Sequence, residues 1–220
     1  MEWTDISEPL RLKMATIIEE TSHGIAIRHG NGITGLAEKG ADGKEVVNLA
    51  DRSMPNELYV RSSHLHDFLL SRGFHDTLTC RLAVYRGGLF PEDLPSDVSF
   101  RMLSLEDCPF LLKWYHMVPD PGYLKGRLSS GVMMGVWYQG KLAGFIGEHE
   151  EGAVGMLEIL PSFRRHHLAT LLERHYCNVR FLKEGRLPYC DIVLGNKASF
   201  LLHQQLGFVL EDDLVWWMDS

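Results

Sequence analysis

The stretch Glu158-Ile159-Leu160-Pro161-Ser162-Phe163-Arg164-Arg165-His166-His167-Leu168-Ala169 constrains the fold of this chain more than any other. A strand over residues 153–160 stops at Pro161, which cannot donate to a ladder. A loop turns, and a helix begins. Its apolar residues Leu168, Leu171, Leu172, Tyr176, Val179 and Leu182 recur at helical spacing, and Gly185 follows as the C-cap. The N–H groups of that first helical turn point into the loop. With the helix dipole they form an anion site, worth roughly 0.3–1 kcal/mol per charge where exposed. Two arginines and two histidines stand in this loop, which suits a phosphate or pyrophosphate.

The elements around this stretch read as α/β with a mixed sheet. Upstream, Gly87-Gly88-Leu89-Phe90-Pro91-Glu92-Asp93-Leu94-Pro95 punctuates the chain, and alternation starts at Val98, Phe100 and Met102. The boundary is therefore placed between residues 1–95 and 96–220. After the strand at 98–103, Ser104 and Asp107 signal a helix start. Pro119-Asp120-Pro121-Gly122 stops that helix, and a short helix spans 122–129. A hairpin follows, with strands at 132–138 and 142–147 around Gln139-Gly140. A strand at 189–194, a helix at 197–206 ended by Gly207, and a strand at 214–218 complete this half.

Residues 1–95 read as a smaller α+β domain. A helix is expected over 6–20, then a hairpin around His29-Gly30-Asn31-Gly32, a short strand at 58–60, a helix at 63–71 and a strand at 78–84. Both halves close alike. Residues 65–85 read helix, Gly73-Phe74, strand; residues 199–218 read helix, Gly207-Phe208, strand. A shortened tandem copy of the second half explains this. A generic αβ unit recurring by chance is the competing explanation.

Charge excludes some functions. The formal net charge is −7, and it is evenly spread: residues 1–95 carry 10 basic and 14 acidic side chains, residues 96–220 carry 12 and 15. Neither half is a polycation, which argues against nucleic acid as a partner, and an acidic surface has little attraction for anionic membranes. No signal peptide is visible, and no apolar run approaches the roughly 20 residues of a membrane span. The scattered Cys80, Cys108, Cys177 and Cys190 read as reduced thiols of a cytoplasmic protein. His64, His66 and His75 lack the partners of a zinc site, so no metal is expected. Trp216-Trp217 reads as one indole in the core and one at an edge or interface, with a homodimer as the compatible assembly.

Residues 98–218 resemble the GNAT superfamily of N-acetyltransferases in element order and in two motifs. The family's acyl-CoA loop runs Arg or Gln, two variable residues, Gly, one variable residue, then Gly or Ala. Here Arg164, Arg165, His166, His167, Leu168 and Ala169 fill it. The second motif is matched by Asn196, Ser199, Leu202 and Leu206-Gly207-Phe208. The approach through Leu160-Pro161 and the Asn196/Ser199 pair most resemble the glycine N-acyltransferase-like branch. The resemblance implies a GNAT-like domain at 96–220. It also implies acetyl-CoA, or another acyl-CoA, as co-substrate, held by Ile159, Leu160, Arg164, Arg165, His166, His167, Leu168, Ala169, Asn196 and Ser199.

Two departures stand out. His167 replaces the loop glycine, adding bulk where the backbone meets the pyrophosphate. His203 replaces the tyrosine that commonly protonates the leaving thiolate; histidine suits proton transfer at neutral pH. The implied mechanism is direct attack of an amine on the thioester, with a backbone N–H near Leu160 stabilising the oxyanion. Glu158 is the candidate general base, with Glu148 and Glu150 as alternatives. The plainer readings are a solvated strand carboxylate for Glu158, a packed helix residue for His203 and an N-cap for Asn196. The expected function is N-acyl transfer, most specifically acetyl transfer, to the amine of a small molecule or amino acid. The alternative is a non-catalytic GNAT-fold binding or regulatory module with altered or lost use of CoA.

Overall fold

The helix expected over 6–20 is instead a helix and a strand. In the computed structural model, which describes residues 3–30, 32–38, 57–118 and 120–220, helix α1 spans Thr4–Arg11 and strand β1 spans Ala15–Glu20. Lys13 between them takes a left-handed φ of 59°, which ends the helical run. Thr16-Ile17-Ile18 is β-branched, and such side chains favour a pleated strand over a helix. Strand β2 (Gly24–His29) pairs with β1, and strand β3 (Thr34–Glu38) closes the expected hairpin in antiparallel register, Ile25 opposite Ala37. Strand β4 (Glu57–Val60) lies parallel to β3. Helix α2 (Ser63–Ser71) starts at Ser62, whose side chain accepts from the Leu65 N–H, and leads through Gly73 into strand β5 (His75–Val84).

The second half follows the expected order closely. Strand β6 (Val98–Met102) precedes a 3₁₀ turn at Leu105–Asp107, where the Asp107 carboxylate accepts from the Ser104 N–H at 2.9 Å. Helices α3 (Cys108–Trp114) and α4 (Pro121–Ser129) follow. Asp120 caps α4 by accepting from the N–H groups of Gly122 and Tyr123. Strands β7 (Met134–Tyr138), β8 (Lys141–Glu148) and β9 (Val154–Ile159) form an antiparallel meander with β6 at its start. Helix α5 spans Leu168–Arg180, and Gly185 ends the segment in a left-handed conformation. Strand β10 (Tyr189–Val193), helix α6 (Lys197–Leu206) and strand β11 (Val209–Asp219) complete the chain.

The strands sort into two sheets that do not follow chain order. One is seven-stranded, in the order β1-β2-β3-β4-β11-β5-β10; the other is β6-β7-β8-β9. Two compact units result. One comprises Met1–Val84, Tyr189–Phe200 and Phe208–Ser220; the other comprises Tyr85–Pro188 and Leu201–Gly207. The linear division at 95 and 96 thus differs from the observed units, because β10 and β11 pair with β5 from the first half. The Gly-Pro segment is not a loose linker either. Asn178 on α5 clamps it, accepting from the Phe90 N–H at 2.8 Å and donating to the Phe90 carbonyl at 2.9 Å.

Each unit has its own core. In the first, Leu36, Leu58, Val60, Leu65, Leu69, Phe74 and Met218 pack together. Beside them Arg61, itself buried, binds Glu211 and stands 3.7 Å from Asp5. Burial pushes the Asp5 carboxyl up to about 7, against the pull of Arg61. In the second unit, Leu103, Leu111, Leu124, Leu128, Met133, Phe145 and Met156 form the core under β6–β9.

Candidate functional site

The site begins with an irregularity in β9. Glu148 pairs with Val154 and Gly147 with Gly155, but Phe145 pairs with Glu158 and Gly144 with Ile159. Ile146 therefore faces two residues, Met156 and Leu157, and Met156 takes a φ of 54°. This is a β-bulge, which kinks and twists the strand it interrupts. Beyond it the Leu160 N–H donates to the Ala143 carbonyl at 2.9 Å. The amide expected to serve as oxyanion donor near Leu160 is thus already committed if it is that of Leu160 itself. Antiparallel pairing alternates between bonded and outward residues. The residue whose peptide groups turn to the open edge of β9 is therefore Ile159.

The loop after β9 is held in a strained shape. Pro161–Phe163 makes one 3₁₀ turn, and then Arg165 (φ 68°) and His167 (φ 57°) both adopt left-handed conformations. Each costs roughly 1–2 kcal/mol in a residue other than glycine. Tyr138 at the end of β7 supports the loop: its ring centroid lies 6.4 Å from that of Phe163, edge-on, and 4.9 Å from that of His166. Arg164 turns back onto the strand end. Its Nε donates to the Ile159 carbonyl and its Nη2 to Glu158 Oε1, both at 3.0 Å.

Helix α5 starts at this strained junction. No side chain caps it, and no acidic residue stands in its first turn. The Leu171 N–H reaches the His167 carbonyl at 3.1 Å, so the amides of Leu168, Ala169 and Thr170 have no partner within the helix. Arg165, His166 and His167 are exposed beside them, Ala169 is half-buried and Leu168 is buried. This donor set fits a phosphate: three amides at a positive helix end, basic side chains around them, and no competing carboxylate within the turn.

The candidate bases differ sharply in their surroundings. Glu158 is partly exposed and paired with Arg164. Glu148 is buried and gripped by Arg186 through two bonds, at 2.6 and 3.1 Å, which occupies both of its oxygens. Glu150 faces Arg127 at 3.5 Å. Glu158 and Glu150 keep equal access to water, and Glu148 is buried.

His203 is buried, with Nε2 2.8 Å from Glu173 Oε1 on α5. It is neither solvated nor packed against purely apolar neighbours. Asn196 is the N-cap of α6: its side-chain oxygen accepts from the Ser199 N–H at 3.1 Å. Ser199 therefore uses its backbone for the cap. Sequence reasoning missed Glu173, which reads as an ordinary helical carboxylate, and the bulge at Met156, which carries no glycine to announce it. It also missed His149, whose Nδ1 lies 2.6 Å from the Tyr123 hydroxyl. Burial and Arg127 push that imidazole down to about 4, so it is neutral at pH 7.

Other features resolve plainly. Among the described residues, no group of three or more His, Cys, Asp and Glu side chains is arranged to hold a metal ion. His66 instead meets Asp76 at 2.9 Å and stacks on Trp216. Trp217 is buried and donates to Asp191 at 3.0 Å, whereas Trp216 is half-buried. The four cysteines are buried, and no disulfide joins them. Among the described residues, no helix is long and apolar enough to cross a membrane.

Comparison with known proteins agrees with this architecture. The family described as FR47-like protein matches residues 130–217, from just before β7 into β11. Among solved structures, the chain is similar to a Drosophila protein from structural genomics, at 19% identity and a TM-score of 0.68, covering 90% of this chain and 74% of that one. It is also similar to a GCN5-related N-acetyltransferase from Kribbella flavida, at 14% identity and a TM-score of 0.60, covering 97% and 93%. A third is a GCN5-related N-acetyltransferase-like protein from Streptococcus suis, at 15% identity and a TM-score of 0.58, covering 100% and 94%. No curated protein matches the chain. The fold is therefore that of the GNAT acetyltransferases, a mixed α/β architecture.

Proposed function

We propose that this chain is an acyl-CoA-dependent N-acyltransferase, with acetyl-CoA as the donor and the amine of a small molecule or amino acid as the acceptor. The observation that carries this reading is the start of α5. An uncapped helix N-terminus follows a loop held by two left-handed residues, Arg165 and His167. Strain of this kind persists where the surroundings over-determine it, and it clusters at ligand-binding sites. His167 takes up the left-handed backbone that a glycine adopts freely, so its side chain alters the surroundings of the phosphate but leaves the turn intact.

In this reading the α5 amides hold the pyrophosphate, with Arg165, His166 and His167 around it. The amine attacks the thioester carbon, and the Ile159 N–H stabilises the oxyanion at the open edge of β9. Glu158, directly or through a water, takes the proton from the amine. The pair with Arg164 keeps that carboxylate oriented at the strand end. The glycine N-acyltransferase-like branch remains the best motif match and makes an amino acid the first acceptor to try. A cytoplasmic, soluble enzyme agrees with the acidic composition and the buried thiols.

The test joins binding to chemistry. Acetyl-CoA at 100 times its dissociation constant should stabilise the protein by about 2.7 kcal/mol in a thermal shift. Mass spectrometry of an amine and amino-acid panel should show an added acetyl group. Binding without transfer would leave a binding or regulatory module. Absence of both at millimolar acetyl-CoA would remove the acyltransferase reading.

A further inference from the structure

Arg127 stands on α4 about one turn after Tyr123, so the two side chains share a face. The Tyr123 hydroxyl lies 2.6 Å from His149 Nδ1, and Arg127 Nη2 lies 3.5 Å from Glu150 Oε1, so this face packs on the turn that follows β8. Arg127 is nearly as buried as Arg186, with side chains 14% and 10% exposed, yet the two are matched very differently. Arg186 grips Glu148 through two bonds, at 2.6 and 3.1 Å. Among the described residues, the Arg127 guanidinium has the single long contact to Glu150, and its buried Nε has no partner. A guanidinium carries five donors in a planar fork that matches a carboxylate. A largely buried charge is costly unless it is paired and hydrogen-bonded. Most of this fork is unengaged.

The sheet register puts this cation on the same side as the candidate base. Directly opposed residues of an antiparallel pair point to one face, and positions two apart on a strand share that face. Glu158 pairs with Phe145, and Gly155 with Gly147. Phe145 packs with Leu111 of α3 and Leu124 of α4, so Glu158 and the bare Cα of Gly155 look toward those helices. The His149 ring fills the space over Gly155, where a Cβ would lie 2.5 Å from two of its atoms. Phe145 and Gly147 are two residues apart, so the ring sits roughly 7 Å along the sheet from Glu158. Arg127 is near enough to this ring that its charge adds to burial in holding the imidazole down. Glu158, His149 and Arg127 all belong to one compact unit.

We propose that Arg127 selects the acceptor, by pairing with a carboxylate on the same molecule whose amine is presented to Glu158. The acceptor class is then an amine that carries a carboxylate, as an amino acid does, rather than a plain amine. This rests on the acyltransferase reading above. Glu150 steadies the guanidinium through one oxygen and leaves the rest of the fork to the acceptor.

The alternative role is a tie between Arg127 and Glu150 that fastens α4 to the turn and serves stability alone. Selectivity separates the two. Acyl transfer from acetyl-CoA is measured on a panel of amino acids, each beside its own carboxamide. The acid-to-carboxamide ratio of kcat/KM should fall by about 10–100-fold in Arg127→Gln, the effect of one lost set of charged hydrogen bonds. Comparing that ratio between wild type and variant cancels the difference in amine basicity. Acetyl-CoA affinity by calorimetry should hold, which reports a folded protein. Arg127→Lys keeps the charge but not the fork, so it should retain part of the preference, and it covers the case of a misfolded glutamine variant. A ratio unchanged in Arg127→Gln, with only a lowered Tm, would overturn the proposal while leaving the acyltransferase reading intact. So would wild-type transfer to plain amines and carboxamides but not to the acids. Wild-type protein that acylates no member of the panel and no plain amine would overturn both.

Discussion

Helices α5 and α6 begin in opposite ways. At α6, Asn196 supplies a side-chain oxygen to the Ser199 N–H, as Ser62 and Asp120 do for α2 and α4. At α5, the residue in the capping position is His167, left-handed, and its side chain caps nothing. A side-chain cap is worth about 1 kcal/mol. Helix α5 forgoes it and carries the strain of two left-handed residues besides. Helices α1 and α3 also lack a side-chain cap, so what sets α5 apart is the combination of an uncapped end, two left-handed residues before it and the exposed basic side chains beside it. Capping spends donors on the protein itself; an uncapped end ringed by Arg165, His166 and His167 offers them to an anion.

The contrast can be broken most sharply by placing a carboxylate at the open end. Ala169→Asp should weaken acetyl-CoA binding at least about 100-fold, since two like charges near 4 Å repel by about 4 kcal/mol at the effective dielectric of a protein surface. The same change should leave stability equal or slightly higher, because the helix dipole favours an acid there. Calorimetric titration and urea unfolding read the two effects, and a loss of stability in step with affinity would sink the assignment. Arg164→Ala should weaken binding by about tenfold, through the lost bonds to Glu158 and the Ile159 carbonyl that shape the strand end. Unchanged affinity would detach Arg164 from the site. Asn196→Ala should cost about 1 kcal/mol of stability in urea. A weakened donor complex at unchanged stability would instead make Asn196 a ligand-binding residue. His167→Gly should raise stability by about 1 kcal/mol by relieving the left-handed backbone. No gain would mean that the histidine makes compensating contacts.

Much of the second half was legible because its signals are local. Pro161 stops β9, Gly185 and Gly207 end their segments, and the 168–182 periodicity marks α5. The turn between β9 and α5 was likewise readable, since Pro161 and the run of helical spacing from Leu168 bracket it. Three things were not. The Ile17-Ile18 pair fits a helical stripe as well as a strand, and only the ladder to β2 decides. The bulge at Met156 depends on register with β8, which no local residue encodes. The partnership of Glu173 with His203 joins residues 30 positions apart, on two helices whose facing sides follow from packing. The compact units take in segments from both sides of residue 96 for the same reason: strand pairing across the chain is not a local property.

That pairing has a consequence for how the molecule comes into being. Strand β5 has β10 and β11 as its two neighbours, and both are made more than 100 residues later. During synthesis β5 therefore waits with both edges bare while the whole of β6–β9 and α5 emerges. The four-stranded meander, whose contacts are near in sequence, can close first, whereas the seven-stranded sheet depends on distant pairings that form slowly. The late arrival of residues 189–219 is then the step that seals Arg61 against Glu211 and buries Asp5. A ribosome-bound chain stopped before Tyr189 would hold β6–β9 and α5 but lack both neighbours of β5.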